Sequence, residues 1–163
     1  MSAPFDLLVT SDSWEPAARW RTCLNVALDA CASDAAIDFP DRPISIMLCD
    51  DDAIRALNRD FRGKDRATNV LSFPAAPSRG LERAPLGDIA IAWETLAQEA
   101  RDEGKSIENH FTHLAVHGAL HLIGFDHETE KDAERMEAAE RRILASLGIA
   151  DPYRDSEPAE APR

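Results

Sequence analysis

Basic residues are scarce in this chain: 18 Lys and Arg stand against 30 Asp and Glu in 163 residues, a net charge of -12. Phosphate contacts need cations, so this balance excludes a protein that binds nucleic acid over its whole surface. Long apolar runs are also missing. None approaches the roughly 20 residues of a membrane span, and no membrane partner is expected. The opening segment, Met1 to Thr10, has no basic flank and too short an apolar stretch for a secretory leader. Cysteine is limited to Cys23, Cys31 and Cys49, odd in number and without C-x-x-C spacing. That excludes a disulfide framework and predicts a reducing, cytoplasmic setting. Cys23 and Cys31, eight apart on a predicted helix, read as small apolar packing residues.

What is present suits one globular domain over residues 1–153: 44% of the chain is hydrophobic and 29% charged, enough to bury a core without staples. The tail, 154–163, is rich in Pro, Glu and Ala and is expected to be disordered. Phe5–Val9 reads as a strand. Trp14 to about Ala32 has helical spacing, with Ser13 as its cap. Pro43–Cys49 alternates like a half-buried strand, and Asp50 or Asp51 caps the next helix, whose Ile54, Leu57 and Phe61 are expected to point inward. Thr68–Phe73 and Gly87–Ala92 are strands on either side of a Pro- and Gly-containing loop. Helices follow over Thr95–Glu103, Ile107–Ile123 (capped by Ser106, stopped by Gly124) and Lys131–Leu147. The predicted fold is therefore α+β, with a small mixed four-stranded sheet and about five helices. Ile107–Ile123 is apolar nearly all round, the mark of a central buried helix.

That helix carries the chemistry. The chain has five histidines. His110, His113, His117 and His121 follow a 3-4-4 spacing, and His127 comes after Gly124. Residues four apart share a helix face, so His117 and His121 can bind one ion. A left-handed Gly124 can bring back His127, giving three nitrogens and an open fourth position, the pattern of a catalytic zinc. The spacing H-x3-H-x2-G-x2-H is that of the zincin-like metzincin proteases, but they carry a general-base Glu where this chain has Gly118. The cage is present and the peptidase base is missing. His113 reads equally as a partner of a ligand or as a satisfied helix histidine, and His110 as polar surface. Asp126 can orient a ligand imidazole, act as a base or cap the turn.

The few cations are concentrated. Residues 55–66 hold Arg55, Arg59, Arg62, Lys64 and Arg66 against Asp60 and Asp65. Arg62 and Lys64 flank Gly63, where side chains and amides can converge on a phosphate; a solvated helix end is the competing reading of the strip taken alone. Arg59, Arg62 and Lys64 are the expected substrate contacts, with Arg62 set to stabilise charge developing on a phosphate.

Together these segments resemble the YbeY family of rRNA maturation factors, described as single-strand-specific metallo-endoribonucleases. The resemblance rests on Leu57-Asn58, Arg62-Gly63-Lys64-Asp65, Thr68-Asn69-Val70-Leu71-Ser72-Phe73-Pro74, Leu86-Gly87-Asp88-Ile89, the run His117 to His127, Met136-Glu137 and the closing Leu147 to Tyr153. It implies one zinc ion on His117, His121 and His127, an important Arg62, and a role in 16S rRNA 3′-end maturation and ribosome quality control. Single-stranded rRNA and the ribosome or its proteins are the implied partners. Two other functions stay open on the residues alone: a metal-dependent peptidase or amidase, and a non-catalytic zinc-containing ribosome factor.

Overall fold

The computed structural model describes residues 4–76 and 84–153. The predicted disordered tail and most of the Pro- and Gly-containing loop lie outside them. Four strands form one mixed sheet: β1 (Phe5–Val9), β2 (Ile44–Cys49), β3 (Val70–Pro74) and β4 (Gly87–Ala92). They lie in the order β1-β2-β4-β3, with β1–β2 and β2–β4 parallel and β3–β4 antiparallel. The helices are α1 (Ala17–Ser33), α2 (Asp51–Arg62), α3 (Trp93–Glu103), α4 (Ile107–Leu122) and α5 (Glu130–Ser146). The mixed α+β prediction holds.

Strand alternation divides the sheet into two faces. Leu7, Ile46 and Ile89 stand in register on one face, in a single core with Leu24 and Leu28 of α1 and Phe111, Ala115 and Leu120 of α4. Each fully buried Leu, Ile or Phe among them contributes about 1.5–3 kcal/mol. Helix α4 packs against α1, α3, α5, β3 and β4, so its apolar sequence marks a central position. The other face carries Leu8, Met47, Ala90 and Leu71 in register. Helix α2 covers part of it through Ile54 and leaves a groove of about 570 Å³.

Local chemistry sets the boundaries. Asp50, not Asp51, caps α2 by accepting Ala53 N–H at 2.9 Å. Asp51 instead accepts the Thr95 amide at 3.1 Å and hydroxyl at 2.8 Å. That ties α2 to the first turn of α3, which starts at Trp93 rather than Thr95. The predicted Ser13 cap is corrected. Trp14 is fully buried and donates its indole N–H to Cys49 O at 2.9 Å, holding residues 12–14 in a separate 3-10 turn, and α1 begins at Ala17 after Pro16. Phe61 is the second correction: it is 70% exposed. It continues the inward stripe of α2, yet with Leu57 it lines the open groove instead of a filled core. Cys31 and Cys49 are fully buried, and burial pushes both thiols up to about 12. Cys31 packs as expected, Cys49 packs in the same way, and Cys23 is only partly buried.

Candidate metal centre and polar cleft

One turn of α4 separates His117 from His121, and their ring centroids lie 4.7 Å apart. Helix α4 then stops. Gly124 takes φ 107°, a conformation that side-chain-bearing residues rarely adopt, and the Phe125 amide returns to Leu120 O at 3.1 Å. The reversal brings the His127 ring to 5.6 Å from His117 and 5.1 Å from His121. One nitrogen of each lies within 4.8 Å of the others. The donor set suits a divalent ion such as zinc, with three imidazoles and one position left for a non-protein ligand. Burial, then the neighbouring His117 and His127, push the His121 imidazole down to about 4. Its lone pair is thus available at neutral pH.

Behind His117 stands a residue that the sequence reading missed. Glu140 of α5 is fully buried. One carboxylate oxygen meets His113 Nε2 at 2.8 Å and the other meets His117 Nδ1 at 2.7 Å. The Tyr153 hydroxyl donates to the first oxygen at 2.5 Å. Burial alone would raise the carboxyl pKa, but the hydrogen bonds from His113 and His117 outweigh it and hold the group at about 2. An ionised carboxylate only accepts, so both imidazoles donate. His117 therefore carries its proton on Nδ1 and keeps Nε2 for a metal, the tautomer that a carboxylate behind a ligand histidine enforces. The sequence held a signal for Glu140: it is an acid on the buried stripe formed by Met136, Ala139, Ile143 and Leu144.

His113 is thus bonded to the same carboxylate that orients His117. His110 is corrected: it is buried, not surface, and its Nε2 lies 2.8 Å from Glu99 Oε1. Burial pushes the Glu99 pKa up, but the bonds from His110 and from Asn69 Nδ2 at 3.0 Å leave it lowered overall. Asp126 Oδ1 accepts Glu128 N–H at 3.2 Å, the geometry of a turn cap. Gly118 faces the sheet. A Cβ there would lie 3.1 Å from Ser72 Oγ and 3.2 Å from Ile89, while Ser72 Oγ donates to Gly118 O at 3.1 Å. A side chain at this position would have to push Ser72 and Ile89 back by a few tenths of an ångström, so the close helix–sheet packing disfavours the Glu of a peptidase.

The three histidines share a cleft of about 370 Å³ with Arg62, Lys64, Arg66 and Asn69. Arg62 donates to Ser72 O at 2.5 Å, and its guanidinium lies 5.2 Å from the Phe73 ring centroid. It is a braced cation beside the three histidines. Gly63, at φ 72°, ends α2 and turns the chain back. Buried Asn58 secures that turn by donating to Arg66 O at 2.9 Å. Arg66, Asn58 and Asn69 were missed as site residues; Asn58 had a signal, an amide on the buried stripe of α2. Arg59 is not brought to the cleft and pairs with Asp60 at 2.9 Å.

Among the described residues, no helix is long and apolar enough to cross a membrane. The family model described as "Endoribonuclease YbeY" matches residues 9–148. A curated protein of that name from Rhodopseudomonas palustris (strain HaA2) is 49% identical over 160 residues, covering 93% of this chain and 82% of the relative. One from Nitrobacter winogradskyi is 51% identical over 153 residues, covering 91% and 80%. The solution structure of TM1509 from Thermotoga maritima aligns with a TM-score of 0.55 at 22% identity, over 96% of this chain and 99% of that one, which supports the fold. With a family match over most of its length and relatives near half identity, the chain belongs to the YbeY family of endoribonucleases.

Proposed function

We propose that this chain is a single-strand-specific endoribonuclease that matures the 3′ end of 16S rRNA and serves ribosome quality control. In this reading residues 1–153 form one cytoplasmic domain with a zincin-like site, holding one zinc ion on His117, His121 and His127. The observation that carries it is the shared cleft, in which a three-histidine donor set opens beside Arg62 and Lys64.

When bound, the ion supplies Lewis acidity toward a phosphate oxygen and lowers the pKa of water. The chain's own groups do the rest. Glu140 keeps the proton at His117 Nδ1. Arg62, braced by Ser72 O and Phe73, presents its remaining N–H groups to the non-bridging oxygens and opposes the charge that builds up there. Lys64 and Arg66 add positive charge along the cleft. Asp126 has a turn-capping bond, which favours that role over general base. The tight seat of Gly118 speaks against the peptidase or amidase alternative. With a net charge of -12, free RNA should bind weakly and with strong salt dependence, the ribosome or its proteins supplying further contacts.

The test is cleavage of a single-stranded oligoribonucleotide and of its duplex by the wild type, by chelator-treated protein and by Arg62→Glu, with zinc content measured in each. Expected is cleavage of the single strand alone, lost on zinc removal, restored by zinc, and lost in Arg62→Glu at unchanged zinc content. Full cleavage by zinc-free protein overturns the reading.

A further inference from the structure

Phe61 is the most exposed of the large hydrophobic residues among those described, ahead of Leu8 and Val26. It sits in the last turn of α2, one residue from Arg62, and meets the Phe73 ring edge-on at 5.7 Å. Arg62 therefore stands at a boundary. On one side is the cationic cleft with the histidines. On the other, its guanidinium covers Phe73, and Phe61 and Phe73 together line the groove under α2.

The two sides differ in chemistry. The cleft has cations and hydrogen-bonding groups. Among the described residues the groove has apolar walls, no cation, and Asp6 and Asp88 as its charged residues. Those carboxylates repel a phosphate but leave a neutral ring unopposed. A nucleotide has the same division, an anionic phosphodiester joined to a flat, neutral base. We infer that Phe61, backed by Phe73, is a stacking subsite for an unpaired base adjoining the phosphate held at Arg62. The inference rests on the endoribonuclease reading and deepens it. Bases in a duplex have no free face to offer, so the subsite selects single strands. It also adds affinity that does not depend on charge, in a protein of net charge -12. Stacking on an aromatic tolerates any base, because every base has a π-face, and its loss costs roughly ten- to hundredfold in affinity.

The test compares wild type, Phe61→Leu and Phe61→Trp as full chains with matched zinc content. Leu keeps an apolar side chain and removes the ring; Trp keeps a ring. The probes are a single-stranded oligoribonucleotide carrying 2-aminopurine beside the cleaved bond and the same strand with an abasic site there. Expected for Phe61→Leu is a KM about tenfold higher and weaker 2-aminopurine quenching on binding, both recovered in Phe61→Trp. On the abasic strand wild type and Phe61→Leu should converge. A KM within twofold of wild type overturns the subsite, as does an equal loss on the abasic strand. A Phe61→Leu change in self-association or protein-partner binding at unaltered KM also overturns it, assigning the ring to a protein interface. If wild type neither binds nor cleaves RNA, the endoribonuclease reading and the subsite fall together. If wild type is active and Phe61→Leu matches it, the subsite alone falls.

Discussion

The two halves of helix α4 carry the same residue type on one stripe and use it differently. In the first half, His110 and His113 each donate to a carboxylate, Glu99 and Glu140, inside the packed helices. In the second, His117 and His121 open with His127 into the polar cleft. Spacing does not distinguish the halves, because three- and four-residue steps keep all four on one side of a helix. The partner behind each ring does. Among the described residues, His113 and His110 have a carboxylate on Nε2 and no hydrogen-bond partner on buried Nδ1, so neither ring is turned to the cleft. His117 has its carboxylate on Nδ1 and offers the opposite nitrogen to the cleft. Glu140 touches both halves, so a change there reaches each of them.

Replacing Glu140 with Gln should give the largest effect. Gln keeps the shape but presents one acceptor and one donor where two acceptors stood, so it cannot satisfy both imidazoles in their present tautomers. His117 then loses the bond that fixes its proton on Nδ1. Zinc affinity should weaken roughly 10- to 100-fold, measured by competition against a chelating dye, and the ¹⁵N shifts of the His117 ring should report mixed tautomers. Unchanged affinity with Nδ1 still protonated would show that Glu140 supports the interior half alone.

Much of this was legible in the sequence because it is local. The helices follow period and caps; Ser106 and Gly124 act where they were expected. The three-histidine group follows from two residues on one helix and a third after its turn. The rest required partners distant in the chain. Glu140 is 23 residues beyond His117, and only the docking of α5 on α4 joins them. His110 is hydrophilic in composition, so it read as surface until Glu99 and Asn69 supplied its reason for burial. Phe61 fits the inward period of α2; what the period could not show is that the sheet face below is an open groove. Arg59 and Arg62 were both expected at the substrate; Ser72 O and Phe73 hold the second beside the cleft, while the first pairs with Asp60.

Acid should act on the two halves together through different groups. In the metal-free protein the His121 imidazole is pushed from 6.5 to about 4 by burial and by His117 and His127. Burial also lowers the His113 imidazole, against the pull of Glu140. Between their unfolded and folded pKa values the unfolded chain binds protons that the folded chain does not, so stability falls as pH drops. Glu140, held at about 2 against 4.5, has the same sign lower down: its contribution is present above 4.5 and is lost toward 2. Urea titrations of the metal-free protein should show declining stability from pH 6.5 to 4, then a further decline below 4.5. His121→Phe should flatten the upper limb and leave the lower one. A profile level from pH 7 to 4 would remove His121 from the account.

The smallest effect belongs to His110, in the interior half of the helix. Phe in its place keeps an aromatic ring in a buried site and deletes the bond to Glu99. Glu99 retains Asn69 and is partly open to water, with its side chain 32% exposed, so solvent can replace part of what is lost. The cost should be about 1–2 kcal/mol, a fall in Tm of a few degrees for a domain of this size. Zinc affinity should not change, because no hydrogen bond links Glu99 or His110 to a metal-facing ring among the described residues. A tenfold weakening of zinc in His110→Phe would mean that the interior histidines tune the metal through ring packing, His110 to His113 at 6.1 Å and His113 to His117 at 6.2 Å. The stripe would then act as one unit, and the division at His117 would have to be abandoned.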